Sequence, residues 1–372
     1  MPRRRLGVGL IGSGFMGKAH AFAYAMAPRV FDLPVTLDLH SLADVSEEAA
    51  VQAAGAFGFR HGTGDWRKMV AEPDIDIISI TTPNAMHHEM ALAAIAAGKA
   101  VYCEKPLALS VTEAREMTEA AERAGVPTQL GFNYLCNPMI SLAKEMIDAG
   151  EVGEVRGFRG IHAEDFMADA SLPFGFRHED EGGGALADIG SHILATAQHL
   201  MGPITSVFGD CVTVIGERPD GQGGRRAIGV DDVTRAFLVF EGGATGSIEA
   251  NWLSTGRKMQ HDFEIYGSKG ALRFSQEHFN ELWFYASDDP QGRQGFRRVE
   301  SAPVHAPYGR FCVAPGHQIG FNDLKSIELA GFIEAILKQG PERFNFRKGL
   351  DIQNLMEAIA TSSQEKRWVE LA

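Results

Sequence analysis

The sequence predicts an α/β unit built on a doubly wound parallel sheet, followed by an α+β unit built on one large, mainly antiparallel sheet. Three observations predict it. Strand-like and helix-like segments alternate through the first third of the chain. A glycine fingerprint occupies the first strand-to-helix turn. From Val152 onward, strand-like segments follow one another with few helices between them. The 372 residues also exceed the about 250–300 at which a single core stops growing, so two units are expected, at 1–131 and 132–372.

Leu6–Ile11 reads as a buried first strand, and Gly12-Ser13-Gly14-Phe15-Met16-Gly17 turns it into a helix. Val35–Ala43 is the second strand, and Ser46–Phe57 an alanine-rich helix with Ser46 as its cap. The β-branched run Ile75–Ile80 closes at Thr81-Thr82-Pro83-Asn84. Helix-like Ala85–Ala97 stops at Gly98, Ala100–Cys103 is a further strand, Ser110–Ala124 a helix and Thr128–Gly131 a strand. Beyond Val152 the expected strands are Val155–His162, Thr205–Ile215, Val233–Phe240, Thr245–Leu253, Asp262–Tyr266, Leu272–Ser275 and Leu282–Tyr285. One helix, Gly184–Met201, interrupts them, and two more, Asn322–Lys338 and Arg347–Glu365, close the chain. Polar, glycine-rich Arg218–Gly229 reads as a mobile loop.

A net charge of −13 and the lack of a basic stripe argue against a nucleic-acid partner. No apolar run approaches the about 20 residues that span a bilayer, so no membrane partner is expected. Arg3-Arg4-Arg5 before an apolar run imitates a secretory signal, but glycines interrupt that run and complete the fingerprint. The scattered Cys103, Cys136, Cys211 and Cys312 suit a reducing cytoplasm and no disulfide framework.

The fingerprint implies a dinucleotide. Gly12 allows the tight turn, Gly14 lets backbone approach a pyrophosphate, and Gly17 lets helix and sheet pack closely, with Phe15 and Met16 between them. Asp44, after the second strand, suits the ribose hydroxyls and so NAD rather than NADP; the alternative is a helix cap. Its distance from Gly17 exceeds the usual ~20 residues, and Ala27–Pro34 reads as the inserted loop responsible. Thr82, Pro83, Asn84 and His87 are expected to face the cofactor. In Val101-Tyr102-Cys103-Glu104-Lys105-Pro106 an apolar run ends in a carboxylate and an ammonium at a strand end. Lys105 there can stabilise negative charge developing on a substrate oxygen, and Glu104 can orient Lys105 or contact the nicotinamide ribose. Asp188 and His192 stand four apart, on one face of a helix, where a histidine beside a carboxylate can take and return a proton. The sequence offers no further ligands for a metal.

Taken together, the fingerprint, Thr82-Pro83-Asn84, Glu104-Lys105-Pro106 and Asp188-x-x-x-His192 resemble the glucose–fructose oxidoreductase/inositol dehydrogenase/rhizopine catabolism (Gfo/Idh/MocA) family over nearly the whole chain. The resemblance implies a Rossmann domain and an open-faced sheet, with the last helix packing back on the first domain. It implies Lys105, Asp188 and His192 as the catalytic group. Gly14–His20, Gly131-Phe132-Asn133-Tyr134, Asp165–Arg177 and His305–Gly309 look like the branch of levoglucosan dehydrogenase and some inositol dehydrogenases. That branch implies an NAD-dependent dehydrogenase of a sugar, anhydrosugar or cyclitol, with Asn133, Tyr134, Asp165, Phe166, Arg177 and His317 as further substrate contacts and Asn133 also near the cofactor. Leu135, where relatives often carry arginine, and Phe176, where tryptophan is common, depart from that pattern. Two alternatives stay open: an NAD-recycling glycoside-cleaving or lyase enzyme working by oxidation and elimination, and a non-catalytic dinucleotide-binding regulator. An open sheet needs a cover, so a homodimer or homotetramer through the second domain is expected.

Overall fold

The computed structural model describes residues 3–371, so Met1, Pro2 and Ala372 lie outside the described residues. The chain divides into two compact units: residues 1–136 with 319–351, and residues 137–318 with 352–372. In the first unit β1 (Arg4–Ile11), α1 (Phe15–Val30), β2 (Val35–Ala43), α2 (Glu47–Phe57), β3 (His61–Thr63), α3 (Trp66–Ala71), β4 (Ile77–Ile80), α4 (His87–Ala96), β5 (Ala100–Cys103), α5 (Val111–Ala124) and β6 (Thr128–Leu130) follow in order. The six strands form one parallel sheet in the order β3-β2-β1-β4-β5-β6. The order reverses between β1 and β4. Ligands of such sheets bind at that switch point, at the carboxyl ends of the strands, where Gly12 and Thr81 emerge.

Local chemistry explains the helix starts. Ser46 accepts from Ala49 N at the start of α2, and Ser110 does the same for Glu113 N at α5. The expected inserted loop at Ala27–Pro34 is a correction. α1 continues to Val30 with Pro28 inside it, because Tyr24 and Ala27 are buried in the core and that burial outweighs the missing Pro28 N–H. A long helix, not an insertion, separates Gly17 from Asp44. α8 (Phe321–Ile336), with Leu329, Phe332 and Ile333, shares this unit's core with Ala23, Tyr24 and Ala27 of α1. Full burial of such side chains contributes about 1.5–3 kcal/mol each. The first turns of α9 (Phe346–Glu365) also fall in this unit: Phe346 N donates to Thr128 Oγ1, and Arg347 pairs with Glu122 at 2.7 Å.

The second unit contains α6 (Pro138–Asp148), β7 (Val155–Ala163), α7 (Ser191–Met201), β8 (Ile204–Val212), β9 (Glu217–Pro219), β10 (Arg225–Ala227), β11 (Val233–Phe240), β12 (Thr245–Asn251), β13 (Gln260–Gly267), β14 (Gly270–Ser275), β15 (Glu281–Ala286), β16 (Arg297–Glu300) and β17 (Val369–Glu370). Nine strands form one sheet in the order β16-β15-β14-β13-β7-β12-β11-β8-β17. Only β7 and β12 pair in parallel. Burial alternates along β13 and β15, so one face is covered, in part by α6 and α7, and the other exposes Phe237, Arg235 and Arg298. A second correction concerns Arg218–Gly229. It is not a mobile loop: β9 and β10 form an antiparallel hairpin, and the Arg218 side chain is fully buried. The four cysteines are unpaired, and among the described residues no helix is long and apolar enough to cross a membrane.

Candidate functional site

The dinucleotide cradle forms where β1 meets α1. Gly12 has φ +95°, which a side chain would strain, and a Cβ on Gly17 would lie 2.2 Å from Gly12 O. Thr81 Oγ1 donates towards Ile11 O and Gly12 O, both at 2.9 Å, and so braces the turn from β4. Gly14 is exposed and offers no side-chain cap, so the first-turn amides of α1 keep their capacity for an anion. Asp44 lies against this turn, its Oδ2 accepting from Ser13 N at 2.9 Å. Because Ser46 caps α2, the helix-cap alternative for Asp44 falls away. Asn133 is buried, and its Nδ2 finds no partner among the described residues, an orphan donor of the sort a bound ligand satisfies. Uncapped amides, Asp44 and this donor together fit a dinucleotide. Phe15 is 73% exposed and stacks on Phe321 at 5.4 Å, with Tyr134 edge-on to Phe321 at 6.3 Å. Met16, Thr82 and Asn84 are half-buried, and Pro83 is exposed.

Two expected cofactor contacts are corrected. The His87 side chain is fully buried, with Nδ1 2.9 Å from Pro106 O and Nε2 3.0 Å from Thr82 O. It is a strut between two loops, with no surface for a ligand. Glu104 likewise points inward, and its Oε1 accepts from His20 Nε2 and Lys325 Nζ, both at 2.8 Å. Lys105, next along the chain, is half-buried at the end of β5.

The network beneath Glu104 is closed. Lys325 Nζ donates to Glu104, to Glu328 Oε2 at 2.7 Å and to Tyr102 OH at 3.1 Å, which uses all three of its protons. Tyr102 OH in turn donates to Glu328. Burial raises the Glu104 pKa, but Lys325 and His20 more than offset this and hold it at about 2. Burial, then Lys325, lowers the His20 pKa to about 4, so the ring is neutral and its contact with Glu104 is a hydrogen bond rather than an ion pair. Because ionised Glu104 only accepts, His20 carries its proton on Nε2. Its Nδ1 then accepts from Ser79, whose oxygen accepts from Tyr24 OH at 2.6 Å.

In the second unit Asp188 lies in a π-helical turn, Leu186–Gly190, that leads into α7. This breaks the regular α spacing expected from Asp188 to His192, as such turns do at functional sites. Asp231 anchors the turn: its Oδ2 accepts from Leu186 N at 2.9 Å, and its carbonyl from Ala185 N at 2.9 Å. Asp188 Oδ2 accepts from Arg177 Nε at 2.7 Å, and the Arg177 guanidinium lies over Phe176 at 4.5 Å. His192 is buried, with its ring 5.6 Å from that of His162 and 6.4 Å from that of His261. Thr196 Oγ1 reaches His192 O at 3.0 Å and His261 Nε2 at 2.9 Å, and His162 Nε2 lies 3.1 Å from Glu164 Oε1. Asp165 is tied to Lys258 at 2.7 Å and Gly256 N at 3.0 Å, contacts that hold its carboxyl below the usual range. Phe166 packs edge-on to Trp252 at 6.2 Å, and His317 is exposed.

Sequence reasoning missed Lys325, Glu328, His20, His162, His261, Asp231 and Arg218. One signal was available: Lys325 and Glu328 stand three apart within the apolar Leu324–Ala330.

The family model described as the oxidoreductase family with an NAD-binding Rossmann fold matches residues 6–132, and that of the GFO/IDH/MocA C-terminal domain matches residues 140–273. Levoglucosan dehydrogenase of Pseudarthrobacter phenanthrenivorans is 37% identical, over 99% of this chain and 98% of its own. The solved structure of a levoglucosan dehydrogenase in complex with NADH and levoglucosan superposes with a TM-score of 0.96 at 37% identity, covering 99% of this chain and 100% of that one. An NAD-binding oxidoreductase from Klebsiella pneumoniae gives 0.95 at 39% identity, over 99% of both chains.

The buried network makes stability fall in acid. As pH drops below about 6.5, the unfolded chain protonates His20, which the fold keeps neutral down to about 4. Below about 4.5 it also protonates Glu104, which the fold keeps ionised down to about 2. In both windows the unfolded state binds more protons, so stability declines as pH falls. His20→Gln should flatten the decline in thermal midpoint between about pH 6.5 and 4. An unchanged slope in that range would show that His20 does not carry it.

Proposed function

We propose, for a chain that belongs to the GFO/IDH/MocA family of oxidoreductases with an NAD-binding Rossmann fold, that it oxidises a hydroxyl of a sugar, anhydrosugar or cyclitol. The observation that carries this reading is the strand end Glu104-Lys105: its carboxylate is locked inward by Lys325 and His20, which fixes the backbone that presents Lys105. The likeness to levoglucosan dehydrogenase supports the substrate class.

The α1 amides would hold the pyrophosphate, and Asp44 the ribose hydroxyls, where a 2′-phosphate would meet like charge. When bound, NAD supplies the acceptor for the hydride that leaves the hydroxyl-bearing carbon. His192 takes the hydroxyl proton as general base, a role worth about 10²–10⁴ in rate. Lys105 donates a hydrogen bond to a substrate oxygen and stabilises the charge that develops on it. Asp188 stabilises imidazolium, and Arg177 holds Asp188 in place.

The test is NADH accumulation over a panel of sugars, cyclitols and anhydrosugars with wild-type protein and Lys105→Met. At least one substrate should give net NADH, and Lys105→Met should lower kcat/KM by about 10²–10³-fold with NAD affinity unchanged. Substrate consumption without net NADH would replace dehydrogenation with oxidation and elimination. Lost NAD affinity at full rate would move Lys105 to the cofactor.

Arg177→Met tests the second half of the mechanism. In its own unit the His192 ring lies near those of His162 and His261, with Glu164 behind His162, and Asp188 is the carboxylate that the proposal sets against it. Without the guanidinium, Asp188 retains more of its field and favours imidazolium, so the acidic limb of kcat/KM for oxidation should move up by about one pH unit. A limb that stays, or moves down, would contradict this coupling.

A further inference from the structure

We propose that the β9–β10 hairpin is the clamp that sets sugar specificity, with Arg218 as its positioning residue. The inference rests on the sugar-dehydrogenase reading above, because the segment it clamps, residues 164–179, carries Asp165, Phe166 and Arg177.

Arg218 is the unusual residue. Its side chain is fully buried and makes no ion pair with a carboxylate among the described residues, while its charge helps to hold the Asp169 carboxyl low. A buried guanidinium is costly, and because its Nε finds no partner among the described residues the bonds of its two Nη atoms must offset the cost. They go to one place. Nη1 donates to Asp169 O at 2.7 Å and Nη2 to Met167 O at 2.6 Å, two carbonyls of the segment that bears the proposed substrate contacts. The fork of a guanidinium fixes two acceptors at once, which a lysine ammonium does with less directional control.

The rest of the hairpin holds the same segment at three further points. Phe174 N donates to Pro219 O at 2.8 Å. The Arg226 guanidinium lies over the Phe174 ring at 3.7 Å, and the same side chain pairs with Glu179 at 2.8 Å. On its other side the segment is pinned by Met167 N donating to Trp252 O at 3.2 Å, and Trp252 is itself fixed by Nε1 donating to Asp232 at 2.7 Å. The segment is thereby held at both ends, and through Arg177 its setting reaches Asp188.

None of the hairpin residues is among the proposed substrate contacts. Their effect should pass through the orientation of Asp165, Phe166 and Arg177, and so appear in discrimination between sugars.

The experiment compares wild-type, Arg218→Met, Arg218→Lys and the surface variant Arg226→Gln, which keeps a test available if Arg218→Met fails to fold. Two readouts are taken. Kinetics with levoglucosan, myo-inositol and the best sugar of the panel give KM, kcat and the preference ratio. Hydrogen exchange of peptides covering 164–179 reads the segment directly. Losing the charge-assisted bonds should raise KM of the best substrate about tenfold, change kcat less, and shrink the preference ratio. NADH affinity should be unchanged, exchange in 164–179 should rise, and Arg218→Lys and Arg226→Gln should fall between. Equal loss of kcat/KM for all sugars, with the ratio preserved, would overturn the specificity role and leave Arg218 a stability residue. Unchanged exchange in 164–179 would overturn the clamp whether or not any sugar is oxidised. Absence of NADH formation by wild-type with every sugar would instead sink the dehydrogenase reading and, with it, the assignment of specificity to the hairpin.

Discussion

The ammonium of Lys325 is the interaction on which the first unit depends. It sits at the meeting of α8 with the end of β5 and gives one proton each to Glu104, Glu328 and Tyr102. Burying ionised groups costs several kcal/mol each, and the cost is met only when every donor and acceptor is used. Here it is met: Glu104 also accepts from His20, and the chain of hydrogen bonds continues through Ser79 to Tyr24. Removing one partner would leave an uncompensated buried charge, typically worth about 3–5 kcal/mol. The centre therefore fixes α8 and the strand end together. α8 in turn presents Phe321 to Phe15 at the fingerprint turn, so the cradle and the departure point of Lys105 belong to one rigid arrangement. A carboxylate that sequence alone places beside the cofactor is spent on holding its neighbour.

The fold was legible where one local rule ruled each segment. Apart from β3, the strands of the first sheet lie in largely apolar runs between helices, and the serine caps of α2 and α5 survive in the structure. Val233–Phe240 is a mostly apolar run that the turn signal Glu241-Gly242-Gly243 closes. The misreadings occur where tertiary burial overrides local preference. Pro28 reads as a breaker, yet Tyr24 and Ala27 are too well buried for the helix to end before it. Arg218–Gly229 reads as loop because its composition is polar, whereas a hairpin forms there around a buried guanidinium whose acceptors, Met167 O and Asp169 O, lie far back along the chain. The three-residue strand His61–Thr63, without an apolar run, carries too little pattern to be seen.

The candidate residues of the site were legible as motifs, and the residues that support them were not. The glycines, Asp44, Lys105, Asp188 and His192 stand in motifs, because turn geometry and strand ends demand particular residue types at fixed spacing. The residues that orient them come from far along the chain. Lys325 lies 221 positions from Glu104, and Asp231 45 from Leu186, and no local pattern encodes such a pairing. His87 shows the converse. It sits in the right stretch of sequence, but both its ring nitrogens face backbone carbonyls, and only the structure reveals that. The π-helical turn at Leu186–Gly190 is likewise invisible to a periodicity argument that assumes a regular helix.

The central claim is that His192 is the base in a hydroxyl oxidation for which the chain supplies both the proton acceptor and the cofactor cradle. The pH dependence of kcat/KM for oxidation of the preferred sugar, compared between wild-type and His192→Ala, tests it most directly. The account predicts a wild-type acidic limb in the imidazole range, near ~6.5 before local shifts, because the base must be unprotonated to accept the proton. It predicts that His192→Ala loses about 10²–10⁴ in rate and no longer shows that limb, while NADH binding is retained. A variant that keeps the wild-type rate and the same limb would show that another group takes the proton, and the account would be wrong.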